Sequence, residues 1–271
     1  MKSLLVLVTI LVILMLIGWL GLQIKPKAFS PYPEKSPELK TIPLPEGLPA
    51  PVERFYKTVY GDEIPVIESV VIKGRADLSP FGVKLPARFL FVHNAGKDYR
   101  HYIEATWFGM PFMKVNESYV DGNSHFELPM GTFEDDPSIT QGAVLGLWAE
   151  SAWFPSIFLT DQRVRWEPVD DTTALLFVPF GEQEENFVVR FDPETGLIDI
   201  METMRCRDAG PEMHKIVWIT KSLPGPTIAG TPLSAVGSAT WLDQGKPWAV
   251  FTLEEVNYNV DVSEYIRRRG P

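Results

Sequence analysis

From Leu4 to Ile24 the chain carries no charge and only two polar side chains, Thr9 and Gln23. About 20 such residues rising 1.5 Å each in a helix span roughly 30 Å, the thickness of a bilayer's hydrocarbon core. Trp19 lies near the far end and Lys25 and Lys27 follow, an interfacial aromatic and two snorkelling lysines of the kind that mark a membrane boundary. A cleaved secretory signal has a shorter apolar core that closes on small residues. Gly18 to Ile24 reads Gly-Trp-Leu-Gly-Leu-Gln-Ile, which offers no such site, and no cysteine follows that could carry a lipid. Residues 1–24 are therefore expected to form an uncleaved, single-pass anchor.

The charges flanking this span give opposed signals about topology. Lys25, Lys27, Lys35 and Lys40 outnumber Lys2 and the terminal amine, which argues for retaining the following residues in the cytoplasm. The shortness of the preceding tail is the form of a signal anchor whose large domain is exported, and an extracytoplasmic domain is the expectation. Residues 25–49 contain Pro26, Pro31, Pro33, Pro37, Pro43, Pro45 and Pro49, which preclude a helix and favour an extended tether. In polyproline II geometry such a tether reaches roughly 75 Å at ~3.1 Å per residue.

Residues 50–271 are enough for one large domain. Pro51 to Tyr60 has Val52, Phe55, Tyr56 and Val59 at one-face spacing, with Gly61 to end a short helix. Alternating, β-rich runs follow at Val66–Lys73, Ala87–Asn94, Tyr99–Phe108 and Met113–Asp121, with Ala95 to Asp98 as a hairpin turn. Ser138 to Phe154 has almost no polar face and ends at Pro155, so it predicts a buried helix capped by Asp136. Strand signals return at Val164–Pro168, Thr173–Val178, Phe187–Phe191, Leu197–Arg205, His214–Lys221, Leu233–Leu242 and Trp248–Val260. Asp192 to Gly196 forms a turn among them. The expected class is α+β: a curved, mainly antiparallel half-barrel packed on one or two helices, able to enclose an apolar cavity.

A net charge of -10 argues against nucleic acid, whose binders present a clustered basic surface. Arg267, Arg268 and Arg269 read as a solvated end. Cys206 is the only cysteine, so neither a disulfide nor a thiolate metal cage forms within the chain.

Glu150 is the first candidate for chemistry, since it follows Trp148 and precedes Trp153 and Phe154 in the apolar helix, where burial would raise its pKa. A bond to Arg163 or Arg165, or exposure to water, accounts for it equally. Asp170 and Asp171 could supply an acid and a base or hold a cation, but adjacent positions in a polar turn point apart, and turn chemistry explains them. His93 and His101 could approach across the predicted hairpin. The four histidines, His125 and His214 included, show no metal-ligand spacing, and none of the nucleophile-elbow, phosphate-loop or dinucleotide signatures occurs. Neither metal nor cofactor is expected.

Four segments, in order and spacing, carry a resemblance: Tyr119-Val120-Asp121-Gly122, Glu150-Ser151-Ala152-Trp153-Phe154-Pro155, Trp166 to Ala174 (Trp-Glu-Pro-Val-Asp-Asp-Thr-Thr-Ala), and Phe191 to Gly196. Together they resemble an uncharacterised prokaryotic family known only as a domain of unknown function, over roughly Leu48 to Arg205. Gly210 to Pro232 matches no pattern of it. The resemblance implies a layout similar to the lipoprotein-carrier (LolA-like) fold, in which an incomplete barrel wraps helices and holds acyl chains. The expectation is a membrane-anchored, non-enzymatic binding domain for a lipid or other hydrophobic ligand, with Trp148, Glu150, Trp153 and Phe154 at the ligand. The alternatives are an envelope hydrolase using Glu150 with Asp170 or Asp171, and a tethered protein-interaction scaffold.

Overall fold

The computed structural model describes residues 2–80, 82–210 and 214–271. Helix α1 (Lys2–Gln23) is followed by a short strand β1 (Thr41–Pro43), helix α2 (Ala50–Tyr60) and β2 (Glu63–Pro65), which pairs with β1. A first meander comprises β3 (Ser69–Leu78), β4 (Leu85–Asn94), β5 (Asp98–Trp107), β6 (Met110–Val120), β7 (Asn123–Leu128) and β8 (Gly131–Glu134). Helix α3 (Pro137–Glu150), a 3₁₀ turn and α4 (Ile157–Thr160) then lead to a second meander. Its strands are β9 (Arg165–Asp170), β10 (Thr173–Phe180), β11 (Gln183–Phe191), β12 (Ile198–Cys206), β13 (Lys215–Thr227), β14 (Ser234–Trp241) and β15 (Pro247–Tyr258).

The meanders join where β15 pairs with β3, making one antiparallel sheet of 13 strands whose edges are β8 and β9. The chain therefore works outward to one edge, crosses by α3 to the opposite edge, and returns by hairpins to the middle. That crossing lays α3 over the concave face. A helix apolar all round suits it, because β12 lies on one side and β6 and β7 on another. The sheet is curved and stays open, as the α+β half-barrel reading expects.

Local chemistry sets the main boundaries. Asp121 and Gly122 both have positive φ, 53° and 84°, the two-residue hairpin turn whose twist matches the strands it joins. Asp136 caps α3, its Oδ1 accepting from the Ser138 and Ile139 amides at 2.9 and 3.1 Å, while Oδ2 accepts from Gly210 N at 3.1 Å. Asp136→Ala should cost about 1–2 kcal/mol in a urea titration, since it orphans helix amides. A change in midpoint within error would show that the cap contributes nothing.

Three sequence expectations need correction. β7 and β8 were not foreseen, being short and polar. β3 and β4 keep two unlike faces, Val70, Ile72 and Ala76 alternating with Val71, Lys73 and Arg75 on β3, but both faces are largely buried rather than one being solvated, because the convex face is also covered. Residues 25–49 are the cover: Phe29 lies 5.9 Å from Tyr102, the Tyr32 hydroxyl donates to Asp261 O at 2.7 Å, and Arg75 Nε donates to Pro26 O at 3.0 Å. The proline-rich segment is thus docked on the sheet instead of using its free reach. The C-terminal arginines are exposed yet paired, Arg267 with Asp121 at 2.7 Å, Arg268 with Glu264 at 2.9 Å and Arg269 with Glu127 at 3.0 Å. Part of the stretch without a sequence pattern, residues 211–213, lies outside the described residues, and β13 runs through much of the rest.

Candidate functional site

Between α3 and the concave face lies a cavity of about 560 Å³. Phe91, Ile103, Met113 and Val115 wall it on one side and Met201, Trp218, Ala239 and Phe251 on the other. It exists because small residues stand where large ones would fill it. Gly146, Ala149 and Ala152 face it from the helical segment. On β14, a Cβ at Gly237 would sit 3.1 Å from the Trp153 ring, so glycine lets that ring approach the strand closely.

Strand direction places one end of the cavity. Antiparallel pairing makes β3, β5, β7 and β14 run the same way, so the turns after them share one end of the sheet. Leu78, Pro80, Leu128, Pro129, Met130 and Trp248 line the cavity at that end. The same turns expose Val83, Trp107, Phe108, Met110, Phe112, Met130 and Leu242. Helix α1 ends against them: the Trp107 indole donates to Gly18 O at 3.0 Å and Phe108 N to Gly21 O at 2.9 Å. Gly21 is required there, since a Cβ would overlap the Trp107 indole.

A cluster of titratable groups lies on the β4–β6 side of the cavity, while Asp199, Thr220, Lys221, Ser222, Ser234 and Ser238 line it from β12–β14. His93 on β4 and His101 on β5 share the concave face, because Phe91 pairs with His101 and His93 with Tyr99. Glu117 on β6 stands opposite His101. The last residue of α3 reaches them: Glu150 Oε2 lies 2.7 Å from His101 Nε2 and 3.1 Å from His93 Nε2, and Glu117 Oε2 lies 3.5 Å from His101 Nδ1. The three donors of His93, His101 and Glu150 lie within 4.8 Å of one another, close enough to share a metal ion. Arg205 closes the group, its Nε donating to Gly142 O at 3.0 Å and its guanidinium stacked 4.2 Å from the Trp218 ring.

Burial alone would lower the His101 pKa, but Glu150 and Glu117 overcome it and push it up to about 9. Burial alone would raise Glu150, as the sequence suggested, but His101 and His93 hold it down at about 2. The pair is an imidazolium and a carboxylate at neutral pH. His93 is lowered, chiefly by burial, and stays neutral. It is fully buried, yet neither ring nitrogen makes a well-directed hydrogen bond, a deficit of about 1–3 kcal/mol for a buried polar group.

Of the residues expected at a ligand, Glu150 and Trp153 line the cavity. Trp148 and Phe154 do not: Trp148 is 1% exposed and packs on Phe158 and under Gly96, while Phe154 is 0% exposed and packs on His93. Asp170 and Asp171 sit in the exposed β9–β10 turn, off the cavity wall, where Asp170 Oδ1 accepts from Thr172 N at 2.9 Å. They do not join Glu150 in one cleft. Arg163 and Arg165 pair with Asp161 and Glu184 rather than with Glu150. Glu117 and Arg205 were not singled out. The signal for Glu117 was its place two strands from His93 in a hairpin ladder, legible once the β5–β6 register is known.

A family model described as a family of unknown function, DUF6544, matches residues 38–253. The chain belongs to this family. The match extends past both limits of the sequence resemblance and includes the Gly210–Pro232 stretch. No curated protein matches the chain. Among solved structures it is similar to a LolA superfamily protein from Nitrosomonas europaea, at 10% identity over 82% of this chain and 99% of that one, with a TM-score of 0.46. It is also similar to a DUF1329 family protein from Desulfovibrio piger, at 13% identity over 73% of this chain and 89% of that one, with a TM-score of 0.42. These are likenesses of fold alone.

Proposed function

We propose that the protein is a membrane-anchored, non-enzymatic domain that takes a lipid or another amphiphile from the bilayer into its cavity. The observation that carries this reading is that part of the cavity wall lies among the exposed apolar turns beside α1. An apolar cavity of about 560 Å³, within the size range of small-molecule sites, has Leu78, Pro80, Leu128, Pro129, Met130 and Trp248 in its wall at the end of the sheet where α1 ends and where the exposed apolar turns cluster. α1 has 22 residues, an 18-residue stretch of it has a mean hydropathy of 2.9, and its side chains are almost all exposed, as those of a helix crossing lipid would be. With α1 in the bilayer, Trp107, Phe108, Met110 and Phe112 meet its surface. The rim would suit a protein partner too, but its hydrogen bonds to α1 favour the membrane. The domain is assigned to the extracytoplasmic side, as a signal anchor would place it.

Cavity binding is tested on the full chain in detergent with cis-parinaric acid, a fluorescent fatty acid. The expected result is a saturable component of one probe per chain, quenching tryptophan emission by energy transfer. A signal that grows only by linear partition would remove the lipid reading. The rim is tested separately. Cys206 is buried, so a Met110→Cys variant labels selectively with an environment-sensitive dye. Its emission should shift to the blue in nanodiscs, whereas a label at Lys97→Cys, in the turn at the opposite end, should not. Equal emission from both labels would place the rim in water.

A further inference from the structure

We propose that His93, His101 and Glu150 bind one divalent transition-metal ion, zinc being the best match to the donors. Two imidazole nitrogens converge on a single carboxylate oxygen, at 2.7 and 3.1 Å from Glu150 Oε2. Two histidines and one glutamate are a set that zinc accepts with a further position left open. The second observation is His93. An imidazolium at His101 paired with Glu150 satisfies those two groups and leaves His93 fully buried, its Nε2 aimed at the carboxylate without hydrogen-bond alignment. A metal ion engages all three at once.

The surroundings fit. Glu117 stands behind His101, its Oε2 3.5 Å from Nδ1, where a carboxylate orients a ligating imidazole and raises its basicity. The ligands come from two paired strands and the last turn of a capped helix, so their positions are fixed by backbone hydrogen bonds rather than by a loop. His101 and Glu150 form part of the cavity wall, so the open side of the ion faces the cavity. Glu117 and Glu150 balance the charge of a divalent ion, and Arg205 beside them leaves the base of the cavity positive. That charge suits a carboxylate or phosphate head, a consequence that rests on the lipid reading, whereas the metal site itself does not.

The test uses the full chain in detergent, stripped with a chelator and titrated with zinc by calorimetry. All proteins carry His125→Ala, which removes the surface group of His125, Glu127 and Glu134. One zinc per chain is expected, and cobalt(II) in its place should give the visible bands of a low-coordinate site. Glu150→Gln and His93→Gln should each weaken zinc at least about 100-fold, and Glu117→Gln about 10–100-fold with circular dichroism unchanged. No saturable zinc uptake by the folded parent would overturn the proposal, as would uptake indifferent to Glu150→Gln and His93→Gln. Saturable parinaric acid uptake by the metal-free chain would still support the lipid reading after either result, so the two readings fail independently.

Discussion

Replacing Glu150 with leucine is expected to destabilise the protein by about 3–5 kcal/mol, the usual consequence of leaving one member of a buried ion pair without its partner. The stranded group is the His101 imidazole, which is 4% exposed and held between Phe91 and Tyr99 with ring centroids at 3.9 and 4.1 Å. Combining Glu150→Leu with His101→Leu should recover much of the loss, because the buried charge, left with only the more distant Glu117 at 3.5 Å, goes with the histidine. A double variant as unstable as the sum of the singles would show that the two residues act separately.

The same pair sets a pH dependence, measured with a chelator present so that only protons compete. His101 titrates at about 9 in the fold against an ordinary 6.5, so its contribution is complete below about pH 6.5 and is lost as the pH rises through about 9. Glu150 titrates at about 2 against 4.5, so its contribution is complete above about pH 4.5 and is lost as the pH falls through about 2. Both operate between about pH 4.5 and 6.5. The gap in urea midpoint between the parent and Glu150→Leu should be widest in that window and narrow on either side of it.

Gly146→Phe is expected to lower affinity for parinaric acid at least about 100-fold while leaving the fold as stable as before or more so. These opposed outcomes follow from where Gly146 sits. An added Cβ meets nothing nearer than Arg205 Nη2 at 3.9 Å, so the backbone tolerates a side chain, and the ring enters the cavity. Glycine inside a helix costs about 0.8–1.0 kcal/mol relative to alanine, and phenylalanine recovers part of that while burying an apolar ring. Retained binding would mean that the ligand sits elsewhere. A large loss of stability would mean that the space is already filled.

Two glycines within the turns of a buried helix are a sequence signal of this space. Gly142 and Gly146 interrupt an apolar helix, four residues apart and so on one face, where Arg205 approaches both and the cavity meets Gly146. Trp148, Trp153 and Phe154 are a more conspicuous but weaker signal, large apolar side chains near an acidic one. Only Trp153 lines the cavity, because a helix that is apolar all round gives no indication of which face meets a void and which meets packed side chains. The candidate site was half legible: Glu150 stood out as an acid in apolar surroundings, and His93 and His101 were seen to lie across one hairpin. Their convergence was not, because Glu150 is brought to the histidines by the crossing of α3, and no local spacing records that.

The sequence by itself determined the elements whose causes are local. These are an uncharged run long enough to span a bilayer, an aspartate cap and an apolar helix, the Asp121-Gly122 turn, and strands whose apolar residues demanded cover. Tertiary structure decided what those elements enclose. Pairing of β15 with β3 put the turns after β3, β5, β7 and β14 at one end of the sheet and α1 beside them, next to Leu78, Pro80 and Met130 of the cavity wall. It also folded the proline-rich segment onto the convex face, where Tyr32 and Arg75 find partners far along the chain. Contacts between residues remote in sequence leave no periodicity behind them, so a cavity or a three-residue cluster built from such contacts becomes visible only once the strands are in register.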